Sequence, residues 1–244
     1  MEITKREIIA SVTIVAALMI VGFIISGKIS EAQMDKNEKY NKAVKIVDAE
    51  QFKYGMRTNV GNAFVYGDLE AVDTVSFPNI DGEYMSVTKV TEEYTRHTKW
   101  VNDYDEEGNY EGSHEEVYWT WDEVDREEKK CEKVSFLTVE FDSNKFNGIH
   151  EDYICTEQDV IFSDTRYEYY GSKTKYTGTI FTVLANNTIS SSAFHKNKNI
   201  QETVEYLESE GTVLIVVFWI LWILLICGSV YGFYYLDNNW LNRD

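Results

Sequence analysis

The sequence is governed by an apolar run near its C-terminal end, Val213 to Leu236, VLIVVFWILWILLICGSVYGFYYL, which contains no charged residue. At about 1.5 Å rise per residue a helix of this run can cross a hydrocarbon core of roughly 30 Å. A second run of the same kind, Ile8 to Gly27, IIASVTIVAALMIVGFIISG, lies near the N-terminal end. Two such runs leave the intervening stretch, about 185 residues, tethered at both ends. That length suffices for one domain with its own core.

The expected architecture is therefore a membrane-anchored α+β protein, mainly β, with two transmembrane helices flanking one extramembrane domain. Its segments read as an N-terminal anchor over residues 1–27, a helical stalk over 28–57 and a β-rich domain over 58–198. An amphipathic helix over 199–211, a second transmembrane helix over 212–236 and a short tail over 237–244 complete it. The first run exceeds the apolar core of a secretory signal, which favours a retained anchor; Ser30 and Ala32 leave cleavage after Ala32 as the alternative. Lys5 and Arg6 favour cytoplasmic termini and an extracytoplasmic domain. Lys28, Lys36, Lys39, Lys42 and Lys45 pull the other way, but long domains translocate largely regardless of flanking charge.

The chain carries a formal net charge of −18; the C-terminal tail contributes −1, so the central segment holds −17. Such a surface repels phosphate backbones and argues against nucleic-acid partners. Abundant Lys, Asn, Ile, Tyr and Glu read as a bacterial or phage-related coding bias.

Ser30 to Val47 reads as the solvated stalk, with Ser30 and Gln33 as a capping box and Asp35–Lys39 and Glu38–Lys42 as i,i+4 pairs. From about Thr58 the pattern shifts to short β-runs punctuated by Gly61 and Gly67. Tyr84 to Tyr104 and Glu116 to Val124 are rich in Thr, Val, Tyr and Trp, and predict a long hairpin with the charged tip DYDEEGNYEGSHEE. VSFLTVEF (Val134 to Phe141) predicts one strand, followed by a turn at Asn147-Gly148. Thr165 to Tyr170 and Thr177 to Leu184 predict two more, separated at Gly171 and Gly178. The whole suggests a sandwich or open barrel. Asn199 reads as the N-cap of a helix with Ile200, Val204 and Leu207 on one face, broken at Gly211 before the second span.

The candidate chemistry is sparse. Asp103, Asp105, Glu107, Asn109 and Glu111 share the first positions of a helix–loop–helix calcium loop, but the twelfth falls on His114 and the flanks read as strands. The expectation is no metal and no cofactor. Cys131 and Cys155 form the disulfide candidate if the domain faces an oxidising compartment. Cys227 sits within the second apolar run. No catalytic motif is present. Tyr104, Tyr110, Trp119 and Trp121 form a candidate interaction tip, within an aromatic cluster that includes Tyr94, Trp100 and Tyr118. Gly228 with Gly232, and Gly22 with Ser26, are small-residue pairs suited to close helix packing, either between the two spans or between copies.

Several segments resemble the membrane-flanked domain of the GIDE or "beside a membrane" type. VYGDLEAV (Val65 to Val72) resembles that domain's opening strand, and VTKVTEEYTRHTKW (Val87 to Trp100) with WTW (Trp119 to Trp121) its aromatic hairpin. KVSFLTVEF (Lys133 to Phe141) is similar to its next strand, and YTGTIFTVLANNTIS (Tyr176 to Ser190) to its late strand pair. The family's ligase members continue into a cysteine- and histidine-rich zinc module that has no counterpart in this sequence, so the resemblance implies no ligase activity and carries over no functional residue.

The function these readings imply is presentation of an acidic β-rich domain for binding other membrane or envelope proteins, or a second copy. A membrane-tethered hydrolase or thiol enzyme, and a small subunit of a transport or secretion complex, are the alternatives.

Overall fold

The computed structural model describes residues 5–159 and 164–241. It divides into two units, a pair of terminal helices and a β-rich domain over 45–198. The fold is β-rich α+β, with two long apolar terminal helices.

In the helical unit, α1 (Lys5–Lys42) and α3 (Ile200–Leu241) are each continuous. Both are long and apolar enough to cross a membrane. At about 1.5 Å per residue α1 is roughly 57 Å long, so its apolar part occupies little more than half of it. This corrects the separate stalk. Residues 28–42 extend α1, supported by a Lys28–Glu31 pair at 2.8 Å and a Lys42–Glu38 pair. Ser30 therefore caps nothing; it lies inside the helix. Nor does α3 break at Gly211, because no helix-terminating group competes with the apolar run that follows. Its N-terminus does carry a reciprocal cap. Asn199 Oδ1 accepts from Glu202 N–H at 3.0 Å, and Glu202 Oε2 accepts from Asn199 N–H at 2.8 Å. At the other end α3 runs through the expected tail to Leu241; residues 242–244 lie outside the described residues.

The two helices pack antiparallel. Trp222 Nε1 donates to the Leu18 carbonyl at 3.0 Å, Phe23 meets Trp219 edge-on at 5.2 Å, and Arg6 pairs with Asp237 at 2.5 Å. Gly22 makes the crossing possible: a Cβ there would lie 2.4 Å from Trp222 Nε1. Gly211 is likewise a close approach, with Gln33 Cδ 2.0 Å from where its Cβ would be. Gly228 and Gly232 have no neighbour within 4 Å, so the notch between these helices is Gly22, with half-buried Ser26 one turn on.

The domain begins earlier than the sequence suggests. After β1 (Val44–Ile46) comes α2 (Ala49–Thr58), capped by Asp48, whose carboxylate accepts from Glu50 and Gln51 N–H at 2.9 and 3.0 Å. The helix ends at Asn59 in the left-handed region, φ 55°. Phe52 and Met56, one turn apart, are buried in the main core, and Phe52 meets Phe136 edge-on at 5.8 Å. Residues 45–57 thus belong to the domain rather than to a stalk, because this short amphipathic face needs a sheet to bury it.

That sheet contains β2 (Gly61–Ala71), β5 (Lys133–Phe136), β6 (Val139–Asp142), β7 (Phe146–Asn147), β10 (Lys175–Ala185), β11 (Thr188–Ile189) and β12 (Ser192–Lys196). The order is β6-β5-β2-β10-β12-β7, with β1 beside β2 and β11 beside β10, curved into a half-barrel. Only the β12–β7 pairing within this path is parallel. Val134 to Phe141 is a hairpin, not one strand: Leu137 and Thr138 form its two-residue turn at φ 47° and 64°. Asn186 and Asn187 do the same between β10 and β11, at φ 53° and 58°. Gly67 and Gly178 lie within strands, facing each other in register, rather than in turns.

The second sheet, order β4-β3-β9-β8, contains β3 (Ser86–Tyr104), β4 (Tyr110–Lys130), β8 (Asp152–Gln158) and β9 (Thr165–Gly171). One side of its base is filled by a small cluster of Phe77, Ile80, Val87 and Tyr169.

The packing at Gly22 generates a prediction. With cysteines replacing Phe23 and Trp219 in a Cys227→Ser background, oxidation of the full chain should crosslink the two helices. Gly22→Leu should cut that yield about tenfold by wedging the helices apart. Gly228→Leu should leave it unchanged; a comparable loss from both substitutions would refute the assigned helix interface.

Candidate functional site

The longest strands of the domain are also those with the least cover. β9 pairs with β3 only from Val87 to Glu93, where Tyr94 N–H still reaches the Asp164 carbonyl at 2.7 Å. Beyond that point β3 and β4 continue alone as a two-stranded ribbon, from Tyr94↔Trp121 to Asp103↔Gly112. At about 3.3 Å per residue its ten pairs form an arm roughly 33 Å long. The β-rich alternation that forms it extends into the expected charged loop, so strand reaches Tyr104 and resumes at Tyr110.

A two-stranded ribbon is marginal without side-chain reinforcement. On one face Tyr94 stacks on Trp119 at 5.5 Å and leans on Trp121 at 5.1 Å. The guanidinium of Arg166 lies 4.5 Å from the centre of the Trp121 ring, while its Nε meets Glu92 at 2.6 Å. This cation on a ring, flanked by a carboxylate, fixes the base of the arm. The opposite face is polar. Thr95 and His97 both contact the Asp122 carboxylate, which also accepts from Thr120 Oγ1 at 2.8 Å. His97 stacks on Tyr118 at 5.3 Å, and Lys99 pairs with Glu116 at 3.0 Å.

The tip is closed by Asp105. Its carboxylate accepts from Glu107 N–H at 2.9 Å, Asn109 N–H at 2.8 Å and Asn109 Nδ2 at 3.0 Å. Asp103 instead lies 2.9 Å from His114 Nδ1. The candidate cation residues Asp103, Asp105, Glu107, Asn109 and Glu111 are thus spread over a hairpin end, with Asp105 consumed by its own turn. Among the described residues no three His, Cys, Asp or Glu side chains are grouped to hold a metal ion.

Of the expected interaction residues, Tyr104 and Tyr110 meet at the tip with ring centres 6.0 Å apart, both 60% exposed. Trp119 lies further down and is half exposed, whereas Trp121 is at the base beneath Arg166. Trp100 lies outside that expected set. Strand register places Trp100 on the same face as Trp119, and it is 72% exposed. Period-two alternation from Tyr94 could have found it.

Cys131 and Cys155 are not bridged. Cys131 is buried in the main core, while Cys155 is half-buried against the smaller cluster of the second sheet, so two different cores separate them. Burial pushes the Cys131 thiol above its ordinary range, and the neighbouring Asp73 adds to the effect. A hollow on the second sheet, lined by Glu92, Glu123, Arg126, Glu168 and Tyr170 among others, has its ions engaged with one another. Arg126 grips Glu123 through two hydrogen bonds of 2.8 Å, and Arg166 spans Glu92 and Glu168.

Comparison with known protein families, with characterised proteins and with solved structures finds no match to this chain.

The polar cluster at the arm's base generates a pH prediction. Hydrogen bonds from Thr95, His97 and Thr120, and the His97 charge, hold the Asp122 carboxyl below its ordinary range. Its contribution is therefore complete above the unfolded value of about 3.9 and is lost as pH falls through the lower folded value. Asp122→Asn should lower the melting temperature at pH 7 by about 2 °C. Repeating the circular dichroism melts at progressively lower pH should show the difference closing below the ordinary aspartate range. A difference that stays constant across that range would refute the assignment.

Proposed function

We propose that this chain is an integral membrane protein of two spans that presents an acidic, β-rich domain for protein binding in a membrane or envelope complex. The supporting observation is the hairpin arm, which leaves the sheet at Tyr94 and carries Trp100, Tyr104, Tyr110 and Trp119 exposed. Aromatic side chains held on a rigid ribbon offer large contact area at little further entropy cost, which suits an interface better than a solvated loop.

The anchoring reading rests on the terminal helices. Ile9, Phe23, Leu221 and Leu224 are all more than 60% exposed along them. A helix surface of this kind is unfavourable in water and at home among lipid chains. We place both termini in the cytoplasm and the domain outside it, on Lys5 and Arg6 and on the weak hold of basic residues over a long domain. Both termini share one side in any two-span arrangement. A binding role also fits the thiols: Cys131 is buried with its ionisation opposed, so neither position nor acidity favours a nucleophile. We propose with it a bacterial or phage-related setting, on composition, and a likeness to the GIDE type domain, on the segments quoted above.

The test is photocrosslinking in cells producing the full chain with a benzophenone amino acid in place of Trp119, which is half exposed and is kept when the arm is shortened. Discrete adducts should form. They should disappear when residues 99–116 are replaced by Asn-Gly, a two-residue turn that reconnects the facing pair Thr98 and Val117, with a second benzophenone at Val183 on the domain surface as control. Protection of Cys131 from alkylation should be unchanged, reporting an intact core. Adducts from the rest of the domain that persist unaltered after the arm is shortened would sink the arm as the binding element.

A further inference from the structure

Both edges of the arm are open beyond Tyr94, and the β4 edge is open along its whole length among the described residues. β4 is the terminal strand of its sheet and pairs only with β3 among the described residues, so from Tyr110 to Trp121 one row of backbone groups has no strand partner. We propose that this edge accepts an extended, lysine- or arginine-bearing segment of another protein by strand addition, the basic side chains lying between the arm's rings and carboxylates. This rests on the arm being the binding element, and it specifies the partner's chemistry and how it docks.

Backbone pairing supplies affinity in strand addition, and side chains on alternate positions supply selectivity. Here the selectivity is electrostatic. Residues 94–121 carry seven acids against Arg96 and Lys99, and all seven lie between Asp103 and Glu116. Glu106, Glu107, Glu111 and Glu115 are exposed and form no ion pair among the described residues. Trp100, Tyr104 and Tyr110 stand among them, with exposed faces free for cations. The recognition chemistry already operates within the chain, where Arg166 sits over Trp121 and against Glu92. A partner's Arg or Lys would repeat that arrangement further along the ribbon.

The same charge argues against two other occupants. A second copy of β4 laid antiparallel would set acid against acid across the new ladder, which is how natural edges resist self-pairing. An anionic bilayer surface would be repelled by the tip as well.

The experiment uses the full chain in nanodiscs of zwitterionic lipid and a ten-residue peptide of alternating Lys and Thr, with its Glu-Thr counterpart as control. Hydrogen exchange is followed by mass spectrometry. Saturating Lys-Thr peptide should slow exchange across Tyr110 to Trp121 by about tenfold, as new backbone hydrogen bonds protect that edge. Raising salt from low to physiological levels should weaken binding several-fold. The Glu-Thr peptide should protect nothing. Trp100→Ala with Trp119→Ala, both on exposed positions, should weaken binding about tenfold. Equal protection by the two peptides, binding without slowed exchange, or binding indifferent to the tryptophans would overturn the proposal. So would protection of this edge by anionic lipid alone. If the Asn-Gly replacement abolishes the crosslinked adducts while the Lys-Thr peptide protects nothing, the binding role stands and only the basic strand falls.

Discussion

The domain depends on one seam, the ten unbroken antiparallel pairs between β2 and β10. Ala63, Val65 and Leu69 from one strand and Ile180 and Leu184 from the other are fully buried there, beneath Phe52 and Met56 of α2. At its middle Gly67 faces Gly178, and the missing side chains are what their neighbours occupy. Leu137 lies over the first, 2.6 Å from where a Cβ would be, and the Phe194 ring covers the second at 2.9 Å. Two glycines in mid-strand cost conformational entropy on folding. They are retained because the turn at Leu137 and the ring of Phe194 close down on the sheet there, letting β5–β6 and β12 extend the sheet on either side.

This explains which parts of the fold the sequence makes legible. The two uncharged runs, the aromatic hairpin and the Asn199 cap each carry a local signal that nothing distant overrides, and each appears in the structure. Gly67 and Gly178 mislead because a glycine serving a close approach looks the same as one serving a turn. Leu137 and Thr138 mislead in the opposite way: they adopt positive φ without glycine or asparagine, held by Leu137 packing on Gly67 rather than by their own preference. The short α2 is hidden because its ten residues follow a charged helical stretch of similar composition, and only the sheet distinguishes them. At the site, residue type places Trp100 in the aromatic cluster, and strand register adds that it shares the exposed face with Trp119.

The arm divides into two parts with opposite requirements. Its base must be rigid, and there each strong group has an intramolecular partner: Arg166 on Trp121 and Glu92, Asp122 with Thr95, His97 and Thr120, and Tyr94 on both tryptophans. Towards the tip the partners thin out: among the described residues Asp103, Asp105 and Glu116 are engaged, Tyr104 and Tyr110 meet each other, and Glu106, Glu107, Glu111, Glu115 and Trp100 face solvent. Interactions that stabilise the ribbon are thus spent before the surface that could bind is reached. The ordering leaves the ribbon stiff where it is mounted and polar groups unsatisfied towards its tip.

The acidity of the chain gains a specific meaning from this geometry. An exposed aromatic ribbon with an open edge is a hazard for self-association, since identical edges pair readily when side chains permit. Seven acids within the fourteen residues from Asp103 to Glu116, without a lysine or arginine among them, make the self-pairing costly along the stretch where β3 and β4 are least covered. The same carboxylates that disfavour a like-charged strand would favour the basic one proposed above, so in that proposal protection and selectivity are a single electrostatic property. Apolar rings alone would have left the arm adhesive to any strand, and acids alone would have left it inert.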